Sequence, residues 1–228
     1  ALQLDRETEG GVRGHDLLVE GGRSQETAAG HARWQASRAR AQADGKQPSL
    51  RVETVTARSI ALVEAARPAA AQRPVAVEAV AGRERGRPHG KRFGALVHAA
   101  LAEIPLQASE AEIARAAAAQ GRLAGAPAEE VEAAAQAVQA ALRHPLLLRA
   151  AQALEVRREE PLLHVLPGGA LLEGIVDLAF REAAGWTVVD FKTDARPAQP
   201  QYEEQLRLYC EAIEAATGQP ATAALLAV

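Results

Sequence analysis

Cysteine is nearly missing from this chain: Cys210 is the single example in 228 residues. A disulfide framework, a four-cysteine zinc site and a cysteine-ligated iron–sulfur cluster are therefore excluded within it. Methionine is absent altogether, and the chain opens as if inside coding sequence, which reads as a piece of a longer polypeptide or as a processed or engineered start. Aromatic residues make up 3% of a chain that is 48% hydrophobic. Alanine supplies the difference, so the helices are expected to be thin and closely spaced. No run of eighteen apolar residues and no signal-peptide pattern occur, and the expectation is a soluble cytoplasmic protein without a membrane partner. No Walker-type loop is present, so ATP is not bound in that way. Net charge is −3, which announces no nucleic-acid binder globally. A local basic patch can still do that work.

What the chain does have is organised around residues 174–194, GIVDLAFREAAGWTVVDFKTD. Two apolar runs read as buried strands, each broken by an acid. Strand side chains alternate faces, so Asp190 and Lys192 share one side while Val189 and Phe191 take the other. Asp177 lies near the end of the preceding strand. Two carboxylates and an ammonium gathered inside a sheet are costly unless they are paired or bind a cation. Asp177 and Asp190 with Lys192 are the minimum kit for metal-dependent phosphodiester hydrolysis: acids to hold the cation, a lysine to orient water or neutralise charge on phosphorus.

Along the rest of the chain, residues 1–25 read as loop and 26–43 as a helix with Trp34 as a docking residue. Residues 50–66 open extended and turn helical, and 75–80 alternate like a strand. His15 and His31 have no partner at a metal-ligand spacing and read as ordinary histidines. Residues 82–92, GRERGRPHGKR, carry Arg83, Arg85, Arg87, Lys91 and Arg92, and read either as a solvated linker or as a phosphate-contacting approach to the site. A helix over 92–104 sets Gly94 and His98 on one face. His98 is a core or capped histidine unless that face meets the acids, in which case its imidazole suits Mn²⁺ or Zn²⁺ and is tolerated by Mg²⁺. Ser109 and Glu112 form a capping box for a helix ending at Gly121, and 127–145 form another that Pro145 stops. These helices read as scaffold.

Glu159, two before Pro161, falls either near the site or at a surface edge. Gly174 removes a side chain beside the expected metal position, leaving room for a phosphate. On the helix 201–218, Tyr202, Gln205 and Tyr209 share a face. They either stack a base and hold a backbone, or simply pack on the sheet. A closing strand follows, and the unit reads α-β-β-β-α-β: an α/β fold with a central mixed β-sheet flanked by helices.

Taken together, these residues resemble the C-terminal nuclease module of the bacterial RecB and AddA helicase-nucleases, within the PD-(D/E)xK superfamily. The resemblance rests on G-x-x-x-H (Gly94, His98), E-x-P (Glu159, Pro161), G-x-x-D-L (Gly174, Asp177, Leu178), D-x-K-T (Asp190, Lys192, Thr193) and Y-x-x-Q-L-x-x-Y (Tyr202, Gln205, Leu206, Tyr209). It departs at Leu162, where an aromatic is usual. It implies a restriction-endonuclease-like core over 82–228, with 1–81 a partly helical linker or accessory segment. It further implies that His98, Asp177, Asp190 and the Phe191 carbonyl bind Mg²⁺ (Mn²⁺ substituting), that Lys192 is catalytic, and that the Gln205 and Tyr helix lines a DNA channel. Partners implied are single-stranded DNA, a helicase domain of the same longer chain or complex, and a second helicase-nuclease subunit, in double-strand-break repair and recombination. No iron–sulfur cluster is expected. Two alternatives stand: a catalytically silent module for DNA binding or partner docking, and a metal-dependent hydrolase of a small phosphate ester.

Overall fold

The structure is a computed structural model that describes residues 21–48, 50–65, 73–81, 87–194, 196 and 199–228. Arg83, Arg85 and the loop expected over most of 1–25 lie outside the described residues. The chain divides into two compact units, Ala1–Ser49 and Leu50–Val228. In the first, helix α1 spans Gly21–Gly45. It covers the expected helix and extends it towards the N-terminus.

The second unit begins with strand β1 (Val52–Thr54) and helix α2 (Val55–Glu64), joined without a loop. Thr54 makes that turn possible: its extended backbone ends the strand while its hydroxyl accepts the Ala57 N–H at 3.1 Å as the helix N-cap. Strand β2 (Val75–Ala79) follows. Helices α3 (Lys91–Glu103), α4 (Glu110–Ala124), α5 (Ala128–Leu142) and α6 (Pro145–Ala150) lead to strands β3 (Glu155–Val165), β4 (Leu171–Glu182) and β5 (Gly185–Lys192). Helix α7 (Pro200–Thr217) and strand β6 (Ala221–Ala227) complete the unit.

The capping box of α4 forms as expected from Ser109 and Glu112. Gly121 does not end that helix. It lies buried inside it, where a Cβ would meet a Val131 methyl at 2.3 Å, so its bareness serves the α4–α5 contact. The helix stops instead at Gly125, whose left-handed φ of 59° closes the C-cap. Pro145 likewise starts α6 rather than merely stopping α5. It occupies the first turn, and His144 Nδ1 accepts the Leu146 N–H at 3.3 Å.

The sheet order is β1-β4-β5-β6-β2, with β3 also on β4. The β3–β4 and β4–β5 pairs are antiparallel, and the β1–β4, β5–β6 and β2–β6 pairs are parallel. This is the expected α/β architecture, a mixed central sheet flanked by helices. Side-chain alternation splits the core into two layers. Leu178, Phe180, Val189, Phe191 and Leu226 pack beneath α3–α6, against Phe93, Leu96, Val97 and Leu147. Trp186, Val188, Ala179 and Leu225 point the other way, against Leu206, Tyr209 and Cys210 of α7.

One topological consequence places the site. β3 pairs with β4 from Leu171 to Arg181 and so takes one whole edge of it. β1, at Leu171–Glu173, and β5, at Leu178–Glu182, must then share the other edge. Between them, residues 174–177 of β4 have no strand neighbour on that side among the described residues, and the sheet forks. The alternation of β4 breaks at the same place. Val176 and Ala179, three apart, both face the α7 layer, while Leu178 and Phe180 face the other. A strict period of two cannot do this, so Asp177 sits at an irregularity that re-aims its side chain.

Candidate active site

Asp177 fills part of the fork with its own carboxylate. Its Oδ2 accepts the backbone N–H of Phe191 at 2.9 Å, beyond the last ladder pair Leu178↔Val189. The same oxygen lies 3.5 Å from His98 Nδ1, delivered by α3. Glu159 reaches the spot from β3, in register opposite Asp177, with a positive φ of 47°. That conformation is uncommon for a residue with a side chain and costs on the order of 1–3 kcal/mol. Two neighbours hold β3 here: Pro161 restricts the backbone, and the Arg158 guanidinium caps the end of α3 through the Leu101 and Ile104 carbonyls. Ligand atoms of His98, Glu159 and Asp177 lie within 4.8 Å of one another.

Asp190 projects to the α7 side of β5 and is 3% exposed. Gln205 Nε2 donates to its Oδ1 at 3.3 Å. Lys192 Nζ stands 2.6 Å from Oδ2, a buried ion pair that holds this oxygen. The Lys192 nitrogen also lies 4.5 Å from the Tyr202 ring centroid, a cation–π contact.

The electrostatics follow from burial beside like charge. Asp190 is pushed up to about 7, first by desolvation and then by the Asp177 charge, with Lys192 opposing. Glu159 is raised by burial and by Asp177. For His98, burial disfavours the imidazolium, but the hydrogen bond and charge of Asp177 outweigh it and its pKa ends above the ordinary value. A carboxylate that resists ionising, with the Lys192 ammonium against one of its oxygens, sits beside a histidine–acid–acid cluster. This donor set fits a divalent cation, whose charge would relieve the repulsion.

The supporting residues are closely packed. A Cβ on Gly94 would meet Thr193 Oγ1 at 3.0 Å, so the bare helix face lets α3 rest against the end of β5 and bring His98 in. At Gly174 a Cβ would meet both Tyr209 and Val55 at 2.8 Å. The space expected there for a phosphate is filled by those two side chains. Tyr209 OH donates to the Ile175 carbonyl at 2.7 Å and accepts from Gln205 at 3.3 Å, so α7 splints the fork on the edge of β4 that lies between β1 and β5. Burial pushes the Tyr209 hydroxyl up to about 12, keeping it a donor. Tyr209→Phe should leave a buried carbonyl unsatisfied and lower stability by about 1–3 kcal/mol, with Gln205→Ala costing less, in urea melts.

Other expected residues fall elsewhere. Tyr202 OH donates to Asp194 at 2.9 Å. Tyr202, Gln205 and Tyr209 therefore share a face as the spacing requires, and all three bond to the protein. Arg87 is engaged with the Val228 and Thr193 oxygens and lies over the Phe93 ring. Arg92 forms a two-pronged pair with Glu130 at 2.8 and 2.6 Å. Lys91 is exposed at the start of α3. Thr54, Val55 and Thr56, which no sequence motif marks, wall a groove of about 660 Å³ with Gly174, Ile175, Gln205 and Tyr209. The parallel β1–β4 pairing that brings them there is non-local.

Fold and site together define an α/β protein with an acidic, cation-ready centre at a fork in its sheet. The profile of the PD-(D/E)XK nuclease superfamily matches residues 77–228, and the chain belongs to that superfamily. Membership points to a metal-dependent nuclease. β1 and α2 lie outside the matched span. No curated protein matches the chain. No described helix is long and apolar enough to cross a membrane.

Proposed function

We propose that this chain is a RecB/AddA-type deoxyribonuclease module, hydrolysing phosphodiester bonds of single strands that an attached helicase unwinds, in double-strand-break repair and recombination. The observation that carries the reading is the convergence of His98, Glu159 and Asp177 on one point beside the buried Asp190–Lys192 pair. His98, Asp177 and Asp190, with the Phe191 carbonyl and Glu159, would hold Mg²⁺, with Mn²⁺ as a substitute. A bound cation supplies Lewis acidity at the phosphoryl oxygens and a lower pKa for the attacking water. Lys192 places positive charge where negative charge grows on the phosphoryl group, and Tyr202 holds it there from beneath. Gln205 fixes Asp190 in one rotamer. Lys91 is exposed and would contact strand phosphates, as Arg83 and Arg85 of the same basic stretch would, whereas Arg87 and Arg92 are engaged with the protein itself. The nuclease domain is taken as 82–228, preceded by an accessory segment that lends β1 and β2 to the sheet.

The test is cleavage of a labelled single strand by the 228-residue chain. Cutting is expected in Mg²⁺ or Mn²⁺ and none in chelator. His98→Ala should shift the Mn²⁺ dependence to at least tenfold higher concentration, in line with loss of one ligand or its support. An unaltered metal titration removes His98 from the site. Cation-independent cleavage, or none under any condition, overturns the reading and favours a silent DNA-binding module.

A further inference from the structure

Helix α1 carries a feature that the nuclease centre does not use. From residue 27 to residue 43 it has no acid, and it carries Arg33, Arg38, Arg40 and His31. Every residue from 27 to 48 is exposed. Among the described residues none of the three arginines has an acidic partner; Arg33 bonds only back to the Ala29 carbonyl, at 3.4 Å. There is no apolar stripe by which the helix could be held through burial.

One large apolar group nevertheless projects from it. Trp34 is 54% exposed. His31 stacks on it at 5.8 Å and 22°, and the Arg38 guanidinium lies 5.3 Å from its ring centroid. Positions 31, 34 and 38 follow the i, i+3, i+7 spacing of one helix face, so histidine, indole and guanidinium form a stacked ridge. Arg33 and Arg40, seven apart, make a second basic line on another face. A ridge that pre-orders a guanidinium reduces the entropy lost when that group binds. A solvated helix needs neither an exposed tryptophan nor an uninterrupted run of one charge sign.

We infer that α1 is a nucleic-acid phosphate-binding element, with Arg33, Arg38 and Arg40 contacting the backbone and Trp34 holding Arg38 and His31 in place. Charge complementarity selects the occupant: a helix that is cationic and free of acids from residue 27 to residue 43 fits a polyanion, and arginine is the side chain best matched to phosphate. The inference goes beyond the nuclease reading by assigning a second contact, outside the catalytic unit, that would keep a strand or duplex attached between cuts.

Fluorescence anisotropy of the full chain in chelator, with a twenty-nucleotide single strand and a twenty-base-pair duplex, tests it. The variant Arg33→Gln/Arg38→Gln/Arg40→Gln preserves helix propensity. It should bind at least about tenfold more weakly near 0.1 M salt. Its salt slope should fall by about 2 on the single strand or nearly 3 on the duplex, at roughly 0.7 and 0.9 per phosphate lost. The probe with the larger fall identifies the backbone bound. Trp34→Ala should give a smaller loss in the same direction. Unchanged affinity and slope on both probes, or a loss that does not vary with salt, overturns the assignment. A chain that fails to cleave in metal while the variant still loses salt-dependent binding would sink the nuclease reading alone.

Discussion

Asp190→Asn and Lys192→Met each reduce single-turnover cleavage of a labelled strand by about 10²–10³-fold or more, the scale expected when a group facing developing charge is removed from a buried site. The two variants differ in what they do to the fold. Asp190→Asn keeps the shape of the side chain and an oxygen for the Gln205 amide, and it removes a carboxylate that burial already pushes towards the neutral form. Its thermal midpoint is expected to equal or exceed that of the parent in chelator. Lys192→Met takes away the ammonium that lies 2.6 Å from a buried carboxylate oxygen. Near neutral pH it is expected to cost a few kcal/mol, as breaking a buried pair from one side does. Activity and stability therefore separate: both variants lose cutting, and only one loses stability. Cleavage within threefold of the parent in either variant would remove that residue from the chemistry.

In chelator, the thermal midpoint should be highest near pH 5 and fall as the pH rises to 7.5. Asp190 titrates at about 7 in the folded chain and near 4 when unfolded. Between those values the folded state holds a proton that the unfolded state has lost, so stability falls with rising pH through this window and levels off above it. Glu159 and His98, both raised, act in the same direction. Glu214, whose carboxylate pairs with Arg73 and is lowered, acts oppositely at more acid pH, where its contribution is lost as it protonates. At about 1.4 kcal/mol per pKa unit the fall amounts to a few kcal/mol. Asp190→Asn should flatten most of it. Mn²⁺ at a hundred times its dissociation constant should restore about 2.7 kcal/mol at pH 7.5. A midpoint flat from pH 5 to 7.5, or a slope unchanged in Asp190→Asn, would show that the cluster is not strained as described.

Most helices and strands were legible because their signals are local. The Ser109–Glu112 box, the period of two in 186–192 and the alternating packing positions of 201–218 each depend on neighbours a few residues away. A local signal misleads where one residue type has two uses. Pro145 serves equally as a stop and as a first-turn residue, and His144 capping its helix decided between them. Gly121 served interhelical contact rather than termination. A strand pattern does not reveal a positive φ, so the sequence alone does not choose between site and surface for Glu159.

By itself the sequence determined which chemistry could occur here. It placed an acid, an acid-x-lysine and a histidine on elements of known period, with too few cysteines for any cluster-based alternative. The tertiary structure decided where that chemistry sits and who supports it. Three strands compete for the two edges of β4, and β1 and β5 share one of them, so residues 174–177 have no partner on that edge among the described residues. Asp177 and Tyr209 supply the missing hydrogen bonds, and the fork opens a place for Glu159 and His98 to meet. Hydrogen-bond satisfaction across strands more than a hundred residues apart along the chain fixes that arrangement, and no local pattern can encode it.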